Sequence, residues 1–152
     1  MMLLSQTLGR SVINVEDAQQ VGTVEELVID PAAAQIVAIR LRGARDGGGG
    51  TVAWQDIQAV GPDAVMVHTA RTARLGPVDA EAQRGLVGKR VLTEHGEEIG
   101  KLTDVAFDPV DGRVEALQTA RGPIPGHSML GVGAYALVVR VQAAPPSGPV
   151  AD

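Results

Sequence analysis

The 152-residue chain contains no cysteine and almost no aromatic residues: one Trp, one Tyr and one Phe. Without thiols it has no disulfide, no thiolate metal site and no cysteine nucleophile. Without aromatics its core has to be assembled from Val, Leu, Ile and Ala, which bury less area per side chain. Half of such a chain, about 70 residues, is marginal by itself. The expectation is therefore that its parts pack on one another or on a second chain, and a homo-oligomer is expected. Long apolar runs are missing too. No stretch reaches the roughly 20 apolar residues that cross a bilayer, so no membrane span is expected. Met1-Met2-Leu3-Leu4-Ser5-Gln6 lacks the charged segment and apolar run of a secretory signal, which makes the cytoplasm the expected location. Nor is there a basic excess. The net charge of −5 opposes general nucleic-acid binding, which depends on cations that release counterions. Of the 13 basic residues, 11 are Arg, beside abundant Ala, Gly and Val, the usage of a high-GC, bacterial genome.

What is present is a repeat. Gly9-Arg10-Ser11-Val12 followed by Val21-Gly22-Thr23-Val24-Glu25-Glu26-Leu27-Val28-Ile29-Asp30-Pro31 returns as Gly88-Lys89-Arg90-Val91 followed by Ile99-Gly100-Lys101-Leu102-Thr103-Asp104-Val105-Ala106-Phe107-Asp108-Pro109. A repeat alters how every residue is weighed. A residue present in both halves serves architecture; one present in a single half is a candidate for function.

Short Val/Ile/Leu runs separated by Gly, Pro and Asp indicate many small strands. In the first half these fall at 10–15, 22–30, 35–42, 51–54 and 64–69, and in the second at 90–93, 98–108, 113–120 and 135–142, with weaker pairing over 123–132. Glu16–Gln20 and Glu94–Glu97 make the first reversal in each half, and the Asp-Pro pairs end the second strands. Val24, Leu27 and Val28, like Leu102, Val105 and Ala106, have helical spacing, but under ten residues between Gly and Asp-Pro is too short for a helix to stand on periodicity. A β-bulge at Glu25-Glu26 and at Thr103-Asp104 switches the inward face and bends the strand as a small barrel requires. The expected organisation is a first repeat over 1–69, a linker over 70–85 with a short helical turn, a second repeat over 86–142 and a disordered Pro/Gly-rich tail over 143–152.

In order, Leu8-Gly9-Arg10-Ser11-Val12, the Val21–Pro31 segment, Ile36-Val37-Ala38-Ile39 and the run from Val52-Ala53-Trp54-Gln55-Asp56-Ile57 to Ala64-Val65-Met66-Val67 resemble the PRC-barrel domain. The resemblance covers about residues 4–68 and 86–141. It implies an all-β fold of two small, strongly bent β-barrels in tandem, related by a pseudo-twofold. On function it implies protein–protein docking rather than catalysis. The domain occurs in the cytoplasmic part of the photosynthetic reaction-centre H subunit and at the C-terminus of a ribosomal small-subunit maturation factor. Nothing here matches the membrane helix of the one or the N-terminal domain of the other. The family's strand-four box reads Pro, an apolar or aromatic residue, a polar residue, then Asp-Val. Ala53-Trp54-Gln55-Asp56-Ile57 keeps the aromatic and the Asp, whereas Pro125-Gly126-His127-Ser128-Met129 keeps the Pro alone.

Candidate chemistry is sparse. His68, His95 and His127 have no partner at triad or ligand spacing, and Glu94, His95, Glu97 and Glu98 read as an exposed polar turn rather than a zinc site. Gly131-Val132-Gly133-Ala134-Tyr135-Ala136 fits the dinucleotide fingerprint in letters but leads into a strand instead of a helix. The glycines at 47–50 read as a flexible hairpin connection. No catalytic residue, cofactor or metal is expected, and no enzymatic activity. Four residues break the repeat symmetry. Arg40 and Arg42 share a strand face by the two-residue period, and Arg45 follows in the glycine loop, where the second repeat has Gln118, Ala120 and a deletion. They form either a patch for an anion or acidic partner or a solvated face balanced by Glu25 and Glu26. Trp54, opposite Gly126, is either an interface hot spot or a plug for an aromatic-poor core. The expectation is a protein-binding or scaffolding module in a bacterial cytoplasm with a protein partner of unknown identity. An RNA- or ribosome-associated maturation factor is the alternative, although nucleic acid is disfavoured by charge.

Overall fold

β-Branched runs interrupted every few residues by Gly, Asp or Pro cannot extend into long elements. The computed structural model of the chain describes residues 1–43, 50–68 and 83–140, with thirteen strands of 2 to 11 residues among them. The first repeat holds β1 (Met2–Leu3), a single helical turn α1 (Leu4–Thr7), β2 (Ser11–Asn14), β3 (Gln20–Asp30), β4 (Gln35–Arg42), β5 (Thr51–Ala53), a 3-10 turn (Trp54–Asp56), β6 (Ile57–Val60) and β7 (Ala64–Val67). The second holds β8 (Arg90–Thr93), β9 (Glu98–Phe107), β10 (Val114–Thr119), β11 (Gly122–Pro125), a 3-10 turn (Gly126–Ser128), β12 (Met129–Val132) and β13 (Ala136–Val139). The ambiguous stretch 123–132 is thus β11, a turn and β12. The elements β1, α1 and β6 are additions to the expected set. The glycine loop at 44–49 with Arg45, the segment 69–82 carrying most of the expected helical turn, and the tail from 141 lie outside the described residues.

Both repeats run the same topology: β5-β4-β3-β2-β7-β6 and β11-β10-β9-β8-β13-β12. All neighbours are antiparallel except β2–β7 and β8–β13, which are parallel. Register shifts bend each sheet at corresponding places. Glu25 in β3 and Thr103 in β9 are the extra residues where the face switch was expected. Val21 and Ile99, Val37 and Glu115, and Gln58 and Leu130 are three further matched pairs. Four bulges per sheet supply the curvature of a barrel, and the edge strands β5 and β6 do not pair with each other.

The two sheets meet about a pseudo-twofold. Gln35 bridges Arg113, its own counterpart. On either side, Ile36 N donates to Gly112 O and Val114 N to Ala34 O, each at 2.8 Å. The lead-in segments cross over. β1 adds to the second sheet, with Met2 opposite Phe107 and Leu3 opposite Ala106. Gln83, ahead of the second repeat, bonds to Ile29 of the first. Buried Val, Leu and Ile of both repeats form one contact cluster, in which Phe107 is the largest fully buried side chain. The poor core is therefore completed within the chain, each half covering the other.

Candidate functional site

The bulge at Glu25 resets the register so that Glu26 faces Arg40, while Thr23 faces Arg42. As the two-residue spacing requires, Arg40 and Arg42 line one cleft, of about 200 Å³, with Glu25, Glu26, Arg84 and Gly85. They differ in depth. Arg40 is 5% exposed, whereas the Arg42 side chain is 74% exposed. Glu25 Oε2 lies 3.7 Å from Arg42 Nη2 and 3.6 Å from Arg84 Nη1. Glu25 thus does balance Arg42, and Arg84, which sequence reasoning missed, shares it. Its counterpart is Ser5, so the same comparison of repeats that singled out Arg40 could have found it.

Glu26 is engaged in architecture. Its Oε2 accepts the N–H groups of Gly85 and Leu86 at 3.1 and 3.4 Å. Asp104, at the matching position, accepts from the backbone N–H of Ser5 at 3.0 Å and from its hydroxyl. Each repeat therefore uses an acid beside its bulge to hold the lead-in of the other. Arg10 and Lys89 are paired in the same way: both donate to the carbonyl of the last-hairpin glycine, Gly61 or Gly133.

Burial pushes the Glu26 carboxyl above its ordinary value of 4.5, with Glu25 adding to the rise, against the opposing pull of the Leu86 and Gly85 amides and Arg40. The folded chain thus binds this proton more tightly than the unfolded chain does. Its contribution to stability is complete below pH 4.5 and is lost as the pH rises through the raised value. In denaturant titrations, the stability of the wild type relative to Glu26→Gln is expected to fall between pH 4 and neutrality. A difference that stays flat or grows would refute this assignment.

Trp54 sits in the 3-10 turn after β5, half-buried at the junction of the repeats. Its ring meets Phe107 edge-on, with centroids 6.3 Å apart and planes at 89°. Gly112 lies directly beneath: a Cβ there would be 2.8 Å from Trp54 Cε2. Ala34, the counterpart of Gly112, carries its Cβ at φ 52°.

The histidines are not brought together. His68 follows β7 and is exposed, His95 lies in an exposed turn with Nε2 3.9 Å from Glu94, and His127 is exposed in the second 3-10 turn. Among the described residues, no three His, Cys, Asp or Glu gather at metal-binding spacing. Chemically the cleft is a mixed-charge surface: guanidinium groups that can take a carboxylate or phosphate, restrained by Glu25. Also among the described residues, no helix is long and apolar enough to cross a membrane.

No curated protein matches the chain at significant similarity. The family model of the PRC-barrel domain matches residues 1–73 and, a second time, residues 79–141. With two bent sheets of one topology related by a pseudo-twofold, the chain belongs to the PRC-barrel domain family as a tandem of two.

Proposed function

We propose that this chain is a non-enzymatic binding or scaffolding module that holds a protein partner through the first repeat. PRC-barrel domains are a protein-interaction fold, and that membership is the observation carrying the reading. The repeat comparison supports the choice of surface. The matched acids hold the lead-in segments and the matched basic residues tie down the last hairpin of their own repeat, while Arg42 reaches water and meets Glu25 at 3.7 Å, a separation that contributes little. A carboxylate on the partner can replace Glu25 there. Arg40 adds charge from beneath the cleft and Trp54 frames the junction; Arg45, the remaining candidate, lies outside the described residues. Self-association now rests on exposed apolar residues such as Val15, Val87 and Leu130, because the repeats already cover one another.

The test is cross-linking of the tagged full chain in lysate of its source, wild type beside Arg42→Glu. One protein should cross-link to the wild type and fall about tenfold with the variant, at unchanged melting temperature. Sedimentation of the purified chain separates a foreign partner from self-association. Tight RNA binding that weakens steeply with salt would replace this reading with an RNA-associated role.

A further inference from the structure

The same comparison of repeats marks a second surface, on the outer face of β8, β9 and β13. Val91 and Leu137 point into the core with no exposure, so their neighbours Arg90, Leu92 and Val138 face outward. Arg90 stands directly opposite Lys101, and Leu92 opposite Glu98. The first repeat has the same apolar pair at this place, Ile13 beside Met66, framed by Ser11, Thr23, Gln20 and Asp63. In the second repeat the frame becomes Arg90, Lys101, Glu98 and Tyr135. Two neutral residues have become cations, a third has become an acid, and an acid has become an aromatic.

The cation at Lys101 has no evident role in the fold. Like charges directly opposite on neighbouring strands are unfavourable. Glu98 Oε1 meets Arg90 Nε at 2.9 Å, but among the described residues no carboxylate pairs with Lys101. Tyr135, the only Tyr in a chain poor in aromatics, is 72% exposed. It is contacted from one side: Arg90 Cζ lies 4.9 Å from its ring centroid and Arg90 Nη1 donates to its hydroxyl. A Tyr–Arg stack over an apolar strip, beside a lysine that no carboxylate among the described residues pairs with, is a contact surface of the residue types that carry binding energy at interfaces.

The geometry points to a docking face for an extended acidic segment of a partner protein whose side chains on one face, two residues apart, include carboxylates that meet Arg90 and Lys101 and an aliphatic group that packs on Leu92, Val138 and Tyr135. Side chains two residues apart share one face of an extended segment, as Arg90 and Leu92 do on β8. Two cations beside a carboxylate on a chain of net charge −5 are too few for a nucleic-acid backbone. This inference rests on the protein-binding reading but not on the Arg42 surface.

The test is NMR titration of the full chain with the capped peptide acetyl-Glu-Ser-Leu-Ser-Glu-amide, which puts two carboxylates and an aliphatic group on one extended face, its Gln-for-Glu analogue and a single-stranded oligothymidylate. The acidic peptide should shift amides in β8, β9 and β13 saturably. The Gln analogue, and the double variant Arg90→Glu with Lys101→Glu, should each bind about tenfold more weakly or worse, with the variant melting as the wild type does. No shift at millimolar peptide, or shifts confined to other strands, overturns the proposal. So does oligothymidylate binding more tightly than the peptide. Because peptide and purified chain alone are used, failure here leaves the Arg42 cross-linking result standing or falling separately.

Discussion

Gly126→Ala is expected to be the most damaging single-methyl change in the chain. A Cβ at Gly126 would lie 2.0 Å from the carbonyl oxygen of Val114, 2.7 Å from its carbonyl carbon and 3.0 Å from its Cγ1. The obstacle is backbone, so it cannot swing aside as a side-chain tip would. Val114 opens β10, and its N–H is committed to Ala34 O across the junction. Pushing its carbonyl away therefore strains the second sheet and the contact between repeats together. Overpacking in a closed site costs about 1–3 kcal/mol and sometimes more; here the upper end, on the order of 3 kcal/mol, is expected. It should read out as a lower urea midpoint at unchanged slope. Gly131→Ala is the control, since a Cβ there meets nothing within 4 Å, and it should unfold with the wild type. A Gly126→Ala variant within about 1 kcal/mol of wild type would contradict the close approach described.

The same position in the first repeat carries Trp54, the largest side chain in the alphabet. The repeats compensate for one another: where the first has Trp54 the second supplies Gly112 beneath its ring, and where the second has Gly126 the first keeps Ala34. Whether Trp54 belongs to a core or an interface was open from its residue type. It packs between two halves of one chain, an internal interface that a single-residue comparison cannot display.

Much of the fold could be read from residue order because the repeat supplied a second reading of each feature. The bulges at Glu25 and Thr103 were legible since the inward face switches at the same place twice, which a short helix does not explain. What escaped were features lacking periodicity. β1 has two residues and finds its partner in β9, far along the chain, and β6 (Ile57–Val60) carries exposed Gln58 and Ala59 side by side, so alternation is lost. For the site, the two-residue period placed Arg40 and Arg42 on one face correctly but says nothing of depth. Arg40 is covered because the lead-in of the second repeat, at Arg84 and Gly85, closes over that end of β4, and a long-range contact of that kind leaves no local pattern. Tyr135 reads in the sequence as part of a glycine motif that leads into a strand; its interest lies in exposure, which composition cannot supply.

Gln83→Ala is expected to cost nearly as much as the glycine change, by a different route. β2 covers β3 only as far as Thr23, so the backbone of β3 beyond it has no strand on that side. In the second repeat the corresponding gap, beyond Lys101, is filled by β1, which pairs with Ala106 and Phe107. In the first repeat a side chain does the work of a strand. Gln83 is 2% exposed; its Oε1 accepts from Ile29 N at 2.8 Å and its Nε2 donates to Ile29 O at 2.6 Å. The amide thus replaces a peptide unit. Alanine removes both bonds and leaves a buried N–H and C=O without partners, each worth about 1–3 kcal/mol, so a loss on the order of 3 kcal/mol is expected after partial hydration. Hydrogen exchange at the Ile29 amide should accelerate in step. Gln83→Glu separates the bonds from the bulk. Its carboxylate can still accept from Ile29 N but confronts Ile29 O, so the variant is destabilised at neutral pH. Acidification protonates the carboxyl, restores a donor toward Ile29 O and should recover much of the deficit, because burial raises the pKa of the folded form. The alanine variant gains nothing in this way. Wild-type denaturant resistance in Gln83→Ala with an unchanged Ile29 exchange rate would show that the Glu26 contacts and the packing of Leu86 hold the lead-in without the Gln83 bonds.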